Sequence, residues 1–148
     1  LINYILSNDD ITLEEYNCNH PKGQIGILSK KVKDLMVPVK NICISYPKDS
    51  FQQVINNMLS RREGYCCIMD NNIMVGIITD YNIRKAMMDK QNIYQLIASQ
   101  IMTKKYYFIS DLETSYQSII PIKYLYIPVI NSKKKLLGII KNIKINNI

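Results

Sequence analysis

Histidine occurs once in these 148 residues, arginine three times, and no Cys-x-x-Cys pair is present. Each scarcity weakens a class of function. A zinc site built on Cys18 and His20 lacks two ligands, so no metal site is expected. Lysine outnumbers arginine 16 to 3. Nucleic-acid surfaces lean on arginine for bidentate contacts, and no interleaving of aromatic and basic residues supports one here. The net charge of +7 therefore reads mainly as a solvated face, with a basic nucleic-acid adaptor as a remaining alternative. Abundant Ile, Asn, Lys and Tyr give the bias of an AT-rich coding sequence, which raises charge without selecting a partner. No apolar run reaches the length of a membrane helix and no signal peptide is visible. The four cysteines, Cys18, Cys43, Cys66 and Cys67, read as buried apolar thiols in a reducing cytoplasm.

What is present is a repeat. Gly76-Ile77-Ile78-Thr79-Asp80-Tyr81-Asn82 is an apolar strand running into a polar turn. Gly138-Ile139-Ile140-Lys141-Asn142-Ile143-Lys144 has the same frame with its polar positions replaced. Upstream, Val32-Lys33-Asp34-Leu35-Met36 is echoed by Ala98-Ser99-Gln100-Ile101-Met102. A tandem repeat of this period sets the architecture before any local assignment. With 47% apolar and 21% charged residues, the chain reads as globular and long enough to bury a sizeable core. It begins at Leu1 rather than Met, which predicts a piece of a longer protein.

Residues 1–17 read as helical, with a capping-box spacing at Thr12–Glu15, and the Pro and Gly residues of 20–26 as a linker. In the first repeat, Ile42–Ile44 is a predicted strand. Asp49 or Ser50 should cap a helix whose apolar stripe is Phe51, Val54, Ile55, Met58 and Leu59, with Gly64 ending it. Tyr65–Met69 and Ile73–Ile78 form a predicted hairpin around Asp70-Asn71-Asn72, and Thr79 or Asp80 opens a helix to about Met88. Cys66 and Cys67, adjacent in that strand, should point to opposite faces. In the second repeat Phe108-Ile109 is a predicted strand, and Leu112, Tyr116, Ile119 and Ile120 line a predicted helix curtailed by Pro121. Leu125–Ile130 and Leu136–Ile140 form a second hairpin, with a last short helix from Asn142. Each repeat reads strand, helix, strand, strand, helix, and one alone has too little core to stand by itself.

These residues resemble a pair of cystathionine-beta-synthase (CBS) domains, or Bateman module, from about Val32 onward. The family pattern is Gly-Tyr-x-x-Pro followed by Gly-apolar-x-Ser/Thr-x-x-Asp/Asn. The first repeat offers Gly64-Tyr65-Cys66-Cys67-Ile68, with Ile in place of Pro, and then Gly76 through Asn82, which fits. The second offers Tyr124-Leu125-Tyr126-Ile127-Pro128, without Gly, and carries Lys141 and Lys144 where Thr and Asp would stand. The resemblance implies an α+β fold of tandem CBS domains, each a small sheet with flanking helices, packed as a pseudo-twofold pair. His20-Pro21-x-Gly23-x-x-Gly26 before Asp34-Leu35-Met36 resembles the D-arabinose 5-phosphate isomerases, in which a sugar isomerase (SIS) domain precedes a CBS pair. That implies residues 1–31 as the end of the SIS domain and linker, 32–92 as the first CBS domain and 93–148 as the second. It also implies a role in Kdo and lipopolysaccharide synthesis.

The resemblance assigns His20 to the catalytic site of a full-length isomerase. This chain lacks a phosphosugar loop and a carboxylate pair, so alone it is expected to be inactive. The implied ligand-binding residues are Tyr65, Cys66, Thr79, Asp80, Asn82, Tyr126, Ile127, Pro128, Lys141 and Lys144. Thr79 and Asn82 open a helix whose N-terminus suits phosphate, and their side chains suit ribose hydroxyls. The plainer reading is that Thr79 and Asp80 only cap that helix, and both readings stand. Lys141 and Lys144 either attract a phosphate or sugar-acid carboxylate or are merely solvated. No cofactor is required. The implied regulatory ligand is AMP, ATP or CMP-Kdo, and the implied partners are the SIS domain and a second copy, in a homodimer or tetramer. The alternative is an oligomerisation module with a degenerate pocket.

Overall fold

The computed structural model describes residues 26–89 and 92–142. The predicted helices of residues 1–17, the linker through Ile25 and the predicted helix after Asn142 lie outside this range. The chain divides into two compact units, each assembled from separated segments. One comprises Val37–Ser110 and Pro128–Ile139; the other comprises Asp111–Ile127, the chain up to Met36 and the chain from Ile140.

The Val37–Ser110 segment supplies a three-stranded sheet ordered β2-β3-β4, with β2 at Ile44–Ser45, β3 at Tyr65–Asp70 and β4 at Ile73–Thr79. β2 runs parallel to β3, and β3 antiparallel to β4. The β3–β4 turn works because Asn71 and Asn72 both adopt positive φ, 53° and 66°, the geometry that a two-residue hairpin with right-handed twist requires. Between β2 and β3 lies α2 (Phe51–Arg61), which packs on both strands. Ser50 caps it by accepting from the Gln53 amide at 3.1 Å. Phe51, Val54 and Met58 are buried, whereas Leu59 is 69% exposed, so the core-facing stripe is narrower than its sequence spacing suggests. Arg62, not Gly64, ends the helix. It adopts φ 55° and ψ 43°, and the Arg62 and Glu63 amides donate to the Leu59 and Met58 carbonyls. Cys66 and Cys67 are both fully buried, so both faces of β3 are covered.

After β4 comes α3 (Asp80–Asp89), packed on β4, and later α4 (Ala98–Ile101). Thr103 then bridges to Ile77, which seats Met102 over Gly76. A Cβ on Gly76 would collide with the Met102 side chain, so this glycine is required for space and not for its backbone angles. A second sheet is ordered β1-β6-β5, from Val37–Pro38, Leu136–Lys141 and Tyr126–Ile130.

In the other unit, α1 (Val32–Leu35) and the residue before it meet the segment 112–116. Lys31 and Ser115 form an antiparallel bridge, and the Val32 amide donates to the Thr114 carbonyl at 2.8 Å. The predicted helix from Leu112 shrinks to α5 (Tyr116–Ile119). Leu112 is instead held in a turn whose Glu113 and Thr114 amides donate to the Asp111 side chain and carbonyl, and Pro121 stops the helix on the far side. The predicted Phe108-Ile109 strand is a single parallel bridge from Ile109 to Val129, with Phe108 49% exposed.

Candidate ligand site

Thr79 ends β4 and Asp80 begins α3, so the polar turn stands where strand becomes helix, as its sequence implies. Tyr65 is the direct cross-strand partner of Thr79. The structure therefore brings Tyr65, Thr79, Asp80 and Asn82 to one end of the β3–β4 hairpin.

The hydrogen bonding at that end is specific. Asn82 is 7% exposed and accepts from the Thr79 amide at 2.9 Å and the Thr79 hydroxyl at 3.0 Å. Its Nδ2 donates to the Ile101 carbonyl at 2.9 Å and the Thr103 hydroxyl at 3.0 Å. A carboxamide has two acceptor lone pairs and two donor hydrogens, and these bonds match that capacity. Asn82 thus fastens the start of α3 to the segment after α4. Aspartate could accept both bonds from Thr79 but could not, as a carboxylate, donate to the Ile101 carbonyl. The Thr79 hydroxyl has committed its hydrogen to Asn82 and offers a ligand only acceptor lone pairs. Thr79 is half-buried and Asp80 is exposed, so both present surface at the helix N-terminus.

Four of the remaining residues implied by the resemblance are buried. Tyr65 and Cys66 are fully buried, and burial pushes the Tyr65 phenol well above its ordinary range. Cys66 hydrogen-bonds to Cys43. Ile127 and Pro128 are buried in β5, and the Pro128 carbonyl accepts from the Ile109 amide at 2.9 Å. Tyr126 and Lys141 are half-buried at the ends of β5 and β6. His20 and Lys144 lie outside the described residues.

A groove of about 330 Å³ was not anticipated from the sequence. It runs between the turn Val39–Asn41 and the C-terminal half of α2, and Lys40, Cys43, Tyr46, Asn57, Ser60 and Arg61 contribute to its walls. Asn57, which the apolar stripe of α2 does not include, also turns inward, and its Nδ2 donates to Ser45 Oγ at 2.7 Å.

No protein-family profile matches the chain. Among solved structures, a CBS domain-containing protein from Bacillus anthracis is similar, with a TM-score of 0.69 and 16% identity over 80% of this chain and 91% of that one. The fold is that of a tandem CBS pair. The CBS-pair protein CBSX2 in complex with AMP is similar too, with a TM-score of 0.63 and 20% identity over 75% of this chain and 89% of CBSX2. Among curated proteins, an uncharacterised protein of Rickettsia prowazekii is 34% identical over 67% of this chain and 31% of its own length. The arabinose 5-phosphate isomerase KdsD of Francisella tularensis is 25% identical over 92% of this chain and 43% of its own length. The chain spans about a third of the length of the first curated relatives it matches. Among the described residues, no helix is long and apolar enough to cross a membrane.

Proposed function

We propose that this CBS pair is the regulatory ligand-binding module of an arabinose 5-phosphate isomerase acting in Kdo and lipopolysaccharide synthesis. The similarity to KdsD over 92% of the chain carries this reading. It extends across the His20-Pro21-x-Gly23-x-x-Gly26 junction that resembles the isomerases. In this proposal residues 1–31 close the SIS domain, and 32–92 and 93–148 are the two CBS repeats. His20 serves the isomerase site of the full-length, cytoplasmic enzyme, which assembles as a homodimer or tetramer. Substituting His20 in that enzyme should lower turnover about 100-fold or more, the range for a lost acid–base group.

The regulatory ligand is an adenine nucleotide or a nucleotide sugar, an idea supported by the AMP complex of CBSX2. It is received at the first-repeat turn, where Thr79 and Asp80 face solvent at the opening of α3. The test is thermal unfolding of the chain with AMP, ADP, ATP, CMP, CMP-Kdo and arabinose 5-phosphate. A ligand at 100 times its dissociation constant stabilises a fold by about 2.7 kcal/mol. For this length that raises Tm by at least about 2–4 °C. A shift with one nucleotide, lost in Thr79→Val and kept in Thr79→Ser, supports the sensor.

A second reading is favoured by Asn82. Its side chain is matched within the fold, which leaves the first-repeat turn fewer groups for ribose. If no nucleotide moves Tm, the module is an oligomerisation scaffold, and the association state of the chain becomes the measurement of interest.

A further inference from the structure

Three described cysteines lie in or beside two adjacent strands, and two of them meet. β2 and β3 are parallel, with Ile44 opposite Cys67 and Ser45 opposite Ile68. One residue earlier on each strand, Cys43 comes opposite Cys66 on the same face, while Cys67 projects to the other. Neighbouring strands lie about 4.8 Å apart, within the roughly 4.4–6.8 Å Cα separation that a disulfide spans. All three thiols are free and buried.

Asn57 Nδ2 donates to Ser45 Oγ at 2.7 Å, and the Ser45 side chain is in turn hydrogen-bonded with Cys66. Cys66 and Cys43 are hydrogen-bonded with each other. That bond, assisted by the Arg61 guanidinium, holds the Cys43 thiol below its ordinary range against burial and the opposing Glu63 carboxylate. The same bond, with burial, pushes Cys66 far above its range, and burial alone does most of this to Cys67. Cys43 also contributes to the wall of the open groove beside α2. The two thiols are therefore unequal in setting: Cys43 borders the groove, and Cys66 lies behind it in β3.

We propose that Cys43 and Cys66 form a peroxide-reactive dithiol, with Cys43 attacking and Cys66 resolving. The Cys43 thiolate attacks one oxygen of hydrogen peroxide; an S–O bond forms, the O–O bond breaks, and hydroxide leaves. Cys66 sulfur then attacks Cys43 sulfur; the S–S bond forms, the S–O bond breaks, and hydroxide leaves with the Cys66 proton as water. Two thiols and one peroxide give one disulfide and two waters. The product clamps β2 to β3 beside the groove.

The test is peroxide treatment of the reduced full chain, followed by intact mass and peptide mapping. The expected result is a loss of two hydrogens and a Cys43–Cys66 link, unchanged in Cys18→Ser and Cys67→Ser. Cys66→Ser should accumulate a dimedone-trapped sulfenic acid at Cys43, and Cys43→Ser none at Cys66. If wild-type Cys43 and Cys66 stay alkylatable under peroxide that oxidises free N-acetylcysteine, the proposal fails. A link through Cys67 or Cys18, or trapping at Cys66, overturns it as well. The wild-type mapping decides the matter even if a serine variant does not fold.

Discussion

Asn82 and Asn142 do comparable work in the two compact units by different hydrogen bonding. Each follows the second strand of a hairpin, and each is buried. Asn82 uses both ends of its amide, accepting twice from Thr79 and donating to Ile101 and Thr103. Asn142 acts through one end: its Nδ2 donates to the carbonyls of Ile119, Ile122 and Tyr124 at 3.2, 2.9 and 3.3 Å. Its amide also donates to the Leu125 carbonyl at 2.7 Å. The contrast shows two ways of using a buried amide after a hairpin. Lys141 and Lys144 replace the hydroxyl and its acceptor partner, and Asn142, in the frame position of Asp80, gathers carbonyls of the short helix α5 and its following turn.

The sharpest way to break this comparison is Asn142→Leu. It strips the side-chain donor from three carbonyls, one of them at the end of α5, and should cost about 3 kcal/mol, read as a lower midpoint in urea. Next is Asn82→Asp, which restores the residue type that the CBS pattern often carries. The carboxylate keeps both bonds from Thr79 but faces the Ile101 carbonyl, for a loss of about 1–3 kcal/mol at neutral pH. Its folded-state pKa should rise above the unfolded value, because only the protonated acid donates to that carbonyl. The penalty is therefore full above the folded pKa and fades as pH falls through it, which melting curves across acid pH would reveal. Thr79→Val removes only the hydroxyl bond and should cost about 1 kcal/mol by chemical denaturation, with Thr79→Ser close to wild type. At the bottom of the scale is Glu113→Gln. It breaks the 2.6 Å ion pair with Lys33, whose two side chains are about half exposed, and Tm should not move measurably.

Much of the first repeat was legible from its residues because local chemistry and tertiary packing agree there. Ser50 caps α2, Phe51, Val54 and Met58 face inward, and paired asparagines make the hairpin turn. The tandem arrangement was legible as well, through the spaced glycines and methionines. Asn82 was harder to read. A polar residue three places after a strand reads as a ligand group, and the carbonyl that gives it a structural role belongs to Ile101, 19 positions downstream. Sequence spacing also overstated the second-repeat helix, since Asp111 binds the backbone of its own turn in competition with helix geometry. The Cys43–Cys66 contact was invisible for a similar reason, because the parallel register of β2 and β3 arises from packing across α2.

The segmented make-up of the unit containing α1 has a consequence for its birth on the ribosome. Lys33 meets Glu113 across 80 positions of chain, and the backbone bonds beside it span similar distances. At about 5–20 residues per second, the ribosome needs roughly 4–16 s to deliver that partner after Lys33 is made. The hairpin of β3 and β4 and its covering helices emerge in that interval, and their contacts are local. The early segment around Val32 therefore waits for its partner strand segment while its neighbours fold. A nascent-chain protease pulse should find it cleavable long after the β3–β4 hairpin has become resistant.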